Sequence, residues 1–208
     1  MKLENLYKVM LLMAKPETLK CMLIEQHINA NIADNINNSY EDVNDKSSKK
    51  KKATYLFHAV SVLENELDQE TLCNFMQSCA CTVGSSVDKY VAQFANKYNN
   101  LPLAEKIHKL CEIKHLGSPV LQEDGTILIN SGVAANGVFR CPCPQIDGVE
   151  IIEPTSFTYC MCCGGHYKYQ YENALGIKLE VKQLSSPLES AGKRPCVSVL
   201  TPIDTNAV

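Results

Sequence analysis

Apolar positions fall at helical spacing through the first half of the chain and at strand spacing through the second. Leu6, Val9, Met10 and Met13 predict helix within residues 1–34, and Pro16-Glu17 opens a second helix there. Residues 35–52 offer almost nothing to bury and predict a linker or long loop. Residues 54–79 turn helical again. Leu56, Val60, Leu63 and Leu67 form one stripe, and Asp68-Gln69-Glu70 suits the start of a helix carrying Leu72, Phe75 and Met76. That helix is expected to end in Cys79-Ala80-Cys81, with Gly84 as terminator. Two short helices follow at 86–97 and 102–114, with Pro102 in the first turn of the second.

Past Gly117 the period changes. A turn at Glu123-Asp124-Gly125 leads into a strand at 126–129. Extended segments are expected at 138–140, 149–152 and 157–162. A turn at Gly164-Gly165 then gives way to a helix over 166–175 that Gly176 stops. Strands follow at 178–182 and 196–200, with a turn at Gly192 between them. The expected fold class is therefore α+β: an N-terminal helical region, 1–116, with a polar lysine-rich loop near 35–52, then an α+β region, 117–208, with helices packed on an antiparallel sheet.

Composition narrows the function classes. A chain of 208 residues, 45% hydrophobic and 21% charged, has enough apolar sequence for one good core or one domain with a helical extension. A net charge of −3 gives no electrostatic case for nucleic acid or acidic membrane. The lysine run 49–52 follows acidic residues with no interleaved aromatic, so it reads as a solvated loop. The apolar run 9–14 is too short for a secretory core, and no stretch approaches the ~20 residues of a membrane span. The expected location is cytoplasmic. Nothing in the sequence sets the oligomeric state.

Cysteine changes the picture most. There are eleven, and in a reducing compartment such thiols serve more often as metal ligands or reactive groups than as disulfides. Cys21, Cys73 and Cys111 stand singly in helical sequence and read as small buried residues. His108 and His115 read as ordinary surface or core residues. The remaining thiols concentrate in Cys141-Pro142-Cys143-Pro144, in Cys160-Met161-Cys162-Cys163-Gly164-Gly165-His166-Tyr167, and at Cys196. In extended strands residues two apart share a face, so Cys141 and Cys143, and likewise Cys160 and Cys162, would point together. Two such pairs side by side, with Cys196 near, make a candidate zinc(II) site, an iron–sulfur cluster being the alternative. Inert thiols are the competing reading.

Cys163 and His166 sit where strand is expected to become helix. Free amides and the helix dipole there would stabilise a thiolate, so a Cys–His nucleophile is a third option. Gly165, His166, Tyr167 and Tyr171 complete a candidate ligand-binding set with Cys163.

From residue 72 onward the motif order is familiar. Cys79, Cys141-Pro142-Cys143-Pro144, Cys160, Cys162, Gly165, Tyr171-Glu172, Gly176, Gly192 and Cys196 carry it. The chain resembles a family of uncharacterised, cysteine-rich bacterial cytoplasmic proteins. Their C-terminal halves look like the 4-vinyl reductase-type small-molecule-binding domain. That resemblance implies helices packed on an antiparallel sheet with a pocket between them for an aromatic or hydrocarbon ligand. It also implies a zinc held nearby by cysteines and a carboxylate, for which Glu189 is the candidate here. This chain departs from the pattern at Cys81, Cys163, His166 and Ser198. The expectation is a binding protein with a thiolate-held metal, zinc first, beside an apolar pocket for a small molecule. The alternatives are an enzyme using a cysteine thiolate or cysteine-ligated metal for hydrolytic or redox chemistry, and an interaction module with inert thiols.

Overall fold

Seven α-helices and a four-stranded antiparallel sheet make up most of the computed structural model, which describes residues 16–80, 86–113 and 116–203. The stripe from Leu6 to Met13, Cys81, Gly84 and His115 fall outside those residues.

Helices α1 (Pro16–Glu25) and α2 (Asn31–Asn37) bury Leu19, Leu23, Ile32 and Ile36, and a Lys20–Asp34 ion pair of 2.7 Å links them. The expected loop over 35–52 is shorter than its polarity implies. Helix α2 runs into it and α3 (Lys49–Glu66) begins inside it, with the lysine run as its first turn. The cause is local: Ser48 has extended backbone and its hydroxyl accepts from the Lys51 amide, while lysine is itself a good helix former. Asp68 caps α4 (Gln69–Ser78) as expected, accepting from the amides of Glu70 and Thr71 at 3.0 and 2.9 Å. Helix α5 is Ser86–Tyr98, and α6 (Leu103–Leu110) stops before the expected end at residue 114.

The sheet runs β1-β2-β6-β5, all neighbours antiparallel, with β1 Ser118–Leu121, β2 Ile127–Asn130, β5 Leu179–Ser185 and β6 Val197–Pro202. A separate hairpin joins β3 (Val133–Ala135) to β4 (Val138–Arg140) through Asn136 and Gly137, both at positive φ. Asn-Gly is the pair that a two-residue hairpin turn favours. Segment 149–152, expected as a strand, is irregular.

The largest correction concerns 157–166. Its threonine, tyrosine and cysteines suit a strand, yet Phe157–Cys160 is a 3₁₀ turn that runs directly into α7 (Met161–Leu175). Gly164 and Gly165 are therefore not a turn; they lie inside the helix. Glycine costs ~1 kcal/mol in a helix interior, so packing must favour this arrangement. It does: a Cβ on Gly165 would stand 2.1 Å from the Gln77 carbonyl oxygen of α4, and one on Gly164 would meet Val181 of β5 at 3.4 Å. Gly176 ends α7 at φ +72°, in the left-handed region that favours glycine.

Helix α7 thus sits between α4, α5 and the sheet. Two buried clusters flank it. One joins α1–α4 to Cys143, Ile146, Tyr159, Cys160, Cys162 and Leu188. The other joins α5 and α6 to the sheet through Tyr167, Tyr171, Leu179 and Leu200. Each draws residues from both sides of residue 116. No helix among the described residues is long and apolar enough to cross a membrane.

Candidate functional site

Four chain segments deliver sulfur to the N-terminal end of α7. Cys141 and Cys143 follow β4 in irregular backbone, Cys160 closes the 3₁₀ turn, and Cys162 and Cys163 occupy the first turn of α7. Cys196 immediately precedes β6, and Cys79 ends α4. The turn is fixed at its start by Ser156, whose hydroxyl accepts from the Thr158 amide, and by Glu64 of α3, which accepts from the hydroxyls of Ser156 and of Thr158, the latter at 2.6 Å. The Cys162 thiol donates to the Tyr159 carbonyl at 3.0 Å, and the Cys79 thiol to the Phe75 carbonyl at 3.1 Å.

These sulfurs are close enough to feel one another's charge. Cys141 responds to Cys143, Cys160 and Cys196; Cys196 and Cys160 each respond to Cys162 and Cys143; Cys79 responds to Cys162. The structure therefore brings together Cys141, Cys143, Cys160, Cys162, Cys163 and Cys196. The reason differs from the alternation argument, because neither pair lies in a strand. A helix start, not a sheet edge, is where they meet. Cys21 and Cys111 are exposed rather than buried. Cys73 is half-buried, accepting from the Gln77 amide nitrogen at 3.2 Å.

One thiol differs electrostatically from the others. Hydrogen bonds from the Cys163 thiol, from the Tyr159 hydroxyl (3.4 Å) and from the Gln145 and Ile146 amides outweigh burial and bring Cys143 down to about 6. Burial pushes Cys79, Cys141, Cys160 and Cys196 up. Cys163 is also pushed well up, first because it donates to Cys143 and then because it bonds to Cys162 and is desolvated. The lowering that a helix start would give Cys163 thus falls on Cys143 instead.

Cys196 is held from the sheet. Gln183 Nε2 donates to its sulfur and to the Ser185 carbonyl, both at 3.3 Å, and Ser198 Oγ donates to Gln183 Oε1 at 2.6 Å. Ser198 thus orients the amide that holds a cluster thiol. Glu189 pairs with Arg194.

The other candidate ligand-binding residues are buried or packed against neighbouring elements. Gly165 meets Gln77. His166 is buried with its ring 5.0 Å from that of Tyr167. Tyr171 is fully buried and its hydroxyl donates to the Leu116 carbonyl at 2.9 Å. Tyr167 and Tyr171 belong to the buried cluster that joins α5 and α6 to the sheet. A cleft of about 600 Å³ opens instead between the β3–β4 hairpin, segment 146–151 and the loop before β6. Val138, Phe139, Ile146 and Leu188 supply apolar wall, Arg140, Asp147 and Glu150 supply polar wall, and Cys141 brings the thiol cluster to its surface. Gly192 lets the loop reach the hairpin: it has φ +80°, accepts from the Phe139 amide at 2.9 Å, and a Cβ there would stand 2.5 Å from Val138 Cγ1. The Asn136-Gly137 pair was the legible signal for this hairpin and cleft.

The donor set is uniformly soft sulfur, which suits zinc(II), copper(I) or iron–sulfur chemistry. As placed, among the described residues, no three histidine, cysteine, aspartate or glutamate side chains are arranged to hold one ion jointly. A metal would have to draw the sulfurs inward.

A family model described as a family of unknown function (DUF6144) matches residues 16–206. No curated protein and no solved structure matches the chain.

Proposed function

The chain belongs to the DUF6144 family of unknown function, and from its own residues we propose that it is a binding protein centred on a thiolate cluster, taking up one thiophilic metal ion beside a cleft for a small molecule. Zinc(II) is the first choice, drawn from Cys141, Cys143, Cys160, Cys162 and Cys196. The observation that supports the reading is the meeting of six thiols at one helix start, with hydrogen-bond donors pushing Cys143 below the ordinary thiol range. A buried thiolate stabilised in this way is short of a cation, and a bound metal would supply it. Tyr159 and the Gln145 and Ile146 amides would then orient the ligand sulfur from outside the coordination shell.

The small-molecule part rests on the cleft and on the resemblance to 4-vinyl reductase-type domains. The cleft's size falls within the range of small-ligand sites, its wall is about as polar as apolar, and Cys141 links it to the cluster. A cytoplasmic location agrees with ten described cysteines that are all free.

Elemental analysis of protein purified without chelator tests the metal. About one zinc per chain, lost in Cys143→Ser and kept in Cys21→Ser, is expected. A visible absorption band with iron would replace zinc by an iron–sulfur cluster. Protein that carries no metal and takes up none from micromolar zinc overturns the reading.

A further inference from the structure

We propose that the cleft takes an amino acid with an apolar side chain in its zwitterionic form, the carboxylate on Arg140 and the ammonium on Asp147 and Glu150. The proposal rests on the reading of the cleft as a small-molecule site and names the class of ligand.

Three charged side chains line the cleft, and they belong to different walls. Arg140 ends β4 on the hairpin side, whereas Asp147 and Glu150 lie in segment 146–151. No ion pair joins them across the space. Among the described residues the ion pairs are Lys20–Asp34, Lys51–Asp42, Lys178–Glu172 and Arg194–Glu189. Lys49 does reach Asp147, but at its backbone carbonyl and not at its carboxylate. The cleft thus presents a guanidinium and two carboxylates, each without an ionic partner in the chain.

A ligand that satisfies all three carries both signs. A polyanion would face the two carboxylates, and a simple cation would face the guanidinium. An amino acid presents a carboxylate, which a guanidinium binds through two parallel hydrogen bonds, and an ammonium, whose three donors suit two carboxylates. The apolar wall calls for an apolar side chain. Ile146 and Leu188 are buried, but Val138 is 50% exposed, so a branched aliphatic group gains by covering it. A cleft of about 600 Å³ leaves room for such a group.

Titration calorimetry of the full chain at about pH 6.5, below the ~7.7–8.0 of an α-amino group, tests this. The probes are L-leucine, leucinamide, isocaproate and uncharged indole. Leucinamide keeps only the positive charge, and isocaproate only the negative one. Leucine is expected to bind about three- to tenfold more tightly than either. In Arg140→Gln it should fall to the level of leucinamide, and in Asp147→Asn combined with Glu150→Gln to the level of isocaproate. All three side chains are exposed, so these variants keep the fold. Leucine that binds no better than leucinamide or isocaproate, or that binds both variants as it binds the wild type, overturns the proposal. Binding of indole without leucine overturns it too, and leaves the cleft as a site for uncharged molecules. Binding of neither overturns the proposal and the reading of the cleft together.

Discussion

Gly165 of α7 faces the backbone of Gln77 in α4 so closely that a Cβ would stand 2.1 Å from its carbonyl oxygen and 2.7 Å from its Cα. A backbone cannot swing aside as a side chain can. Gly165→Ala is therefore expected to push α7 off α4 and destabilise the chain by about 1–3 kcal/mol or more. Gly164→Ala is the control. Its Cβ would meet the Val181 side chain at 3.4 Å, an ordinary contact, and alanine gains about 1 kcal/mol of helix propensity. Urea denaturation of the two variants, one residue apart, should shift the midpoint in opposite directions.

The 3₁₀ turn that carries Cys160 depends on a helix far away in sequence. Glu64 accepts from the Thr158 hydroxyl at 2.6 Å and from Ser156. Thr158→Val keeps the shape and removes the donor, at an expected cost of about 1 kcal/mol. Faster maleimide labelling of Cys160, with little change at Cys21, would show that the loss is local to the turn.

Ser198 is fully buried and its hydroxyl completes the Gln183 amide. Ser198→Ala leaves Gln183 Oε1 without that donor inside the protein. The expected cost is about 1–3 kcal/mol. Because Gln183 also donates to Cys196, Cys196 should become more reactive to a small alkylating agent, and unchanged labelling there would break the link drawn between sheet and cluster.

The thiols give stability a pH profile with two opposed limbs. Cys143 is held below the ordinary thiol value of 9.0, at about 6. Its contribution is present above the ordinary value and is lost as pH falls through about 6. Cys79, Cys141, Cys160, Cys163 and Cys196 are held above that value. Their contribution is full below it and is lost as pH rises. The reduced, metal-free chain is thus expected to be most stable near the ordinary thiol value. Ultraviolet thiolate absorbance should show a step with its midpoint near 6 that is missing in Cys143→Ser.

The lysine run is engaged within the protein. Lys49 Nζ donates to the Asp147 carbonyl at 3.1 Å, Lys51 pairs with Asp42, and Lys52 donates to the Asp45 carbonyl at 2.8 Å. Wild-type protein is expected to show no salt-dependent affinity for duplex DNA. Replacing residues 49–52 with serine should cost helix stability and leave that absence unchanged; a salt-sensitive affinity lost in the variant would refute this.

By itself the sequence determined the element types that depend on local chemistry. Asp68 caps α4 because its carboxylate reaches amides two and three residues on. Gly176 ends α7 because the left-handed conformation there favours glycine. The α+β class followed from the change of period after residue 117. The concentration of cysteines in two short motifs marked where chemistry lies. Signals at Ser48 and Asn136-Gly137 were present too, although polarity and the neighbouring cysteines masked them.

Only the tertiary structure decided the rest. Strand-like residues at 157–162 became helical because Ser156, Glu64 and the close approach of α4 stabilise that geometry over local preference. Tyr167 and Tyr171 became core because the sheet closes on them. Which thiol is favoured as thiolate was likewise beyond sequence. Cys143 is the acceptor because Cys163, Tyr159 and two amides converge on it from separate segments. Convergence of that kind is a property of packing, and one-dimensional spacing does not encode it.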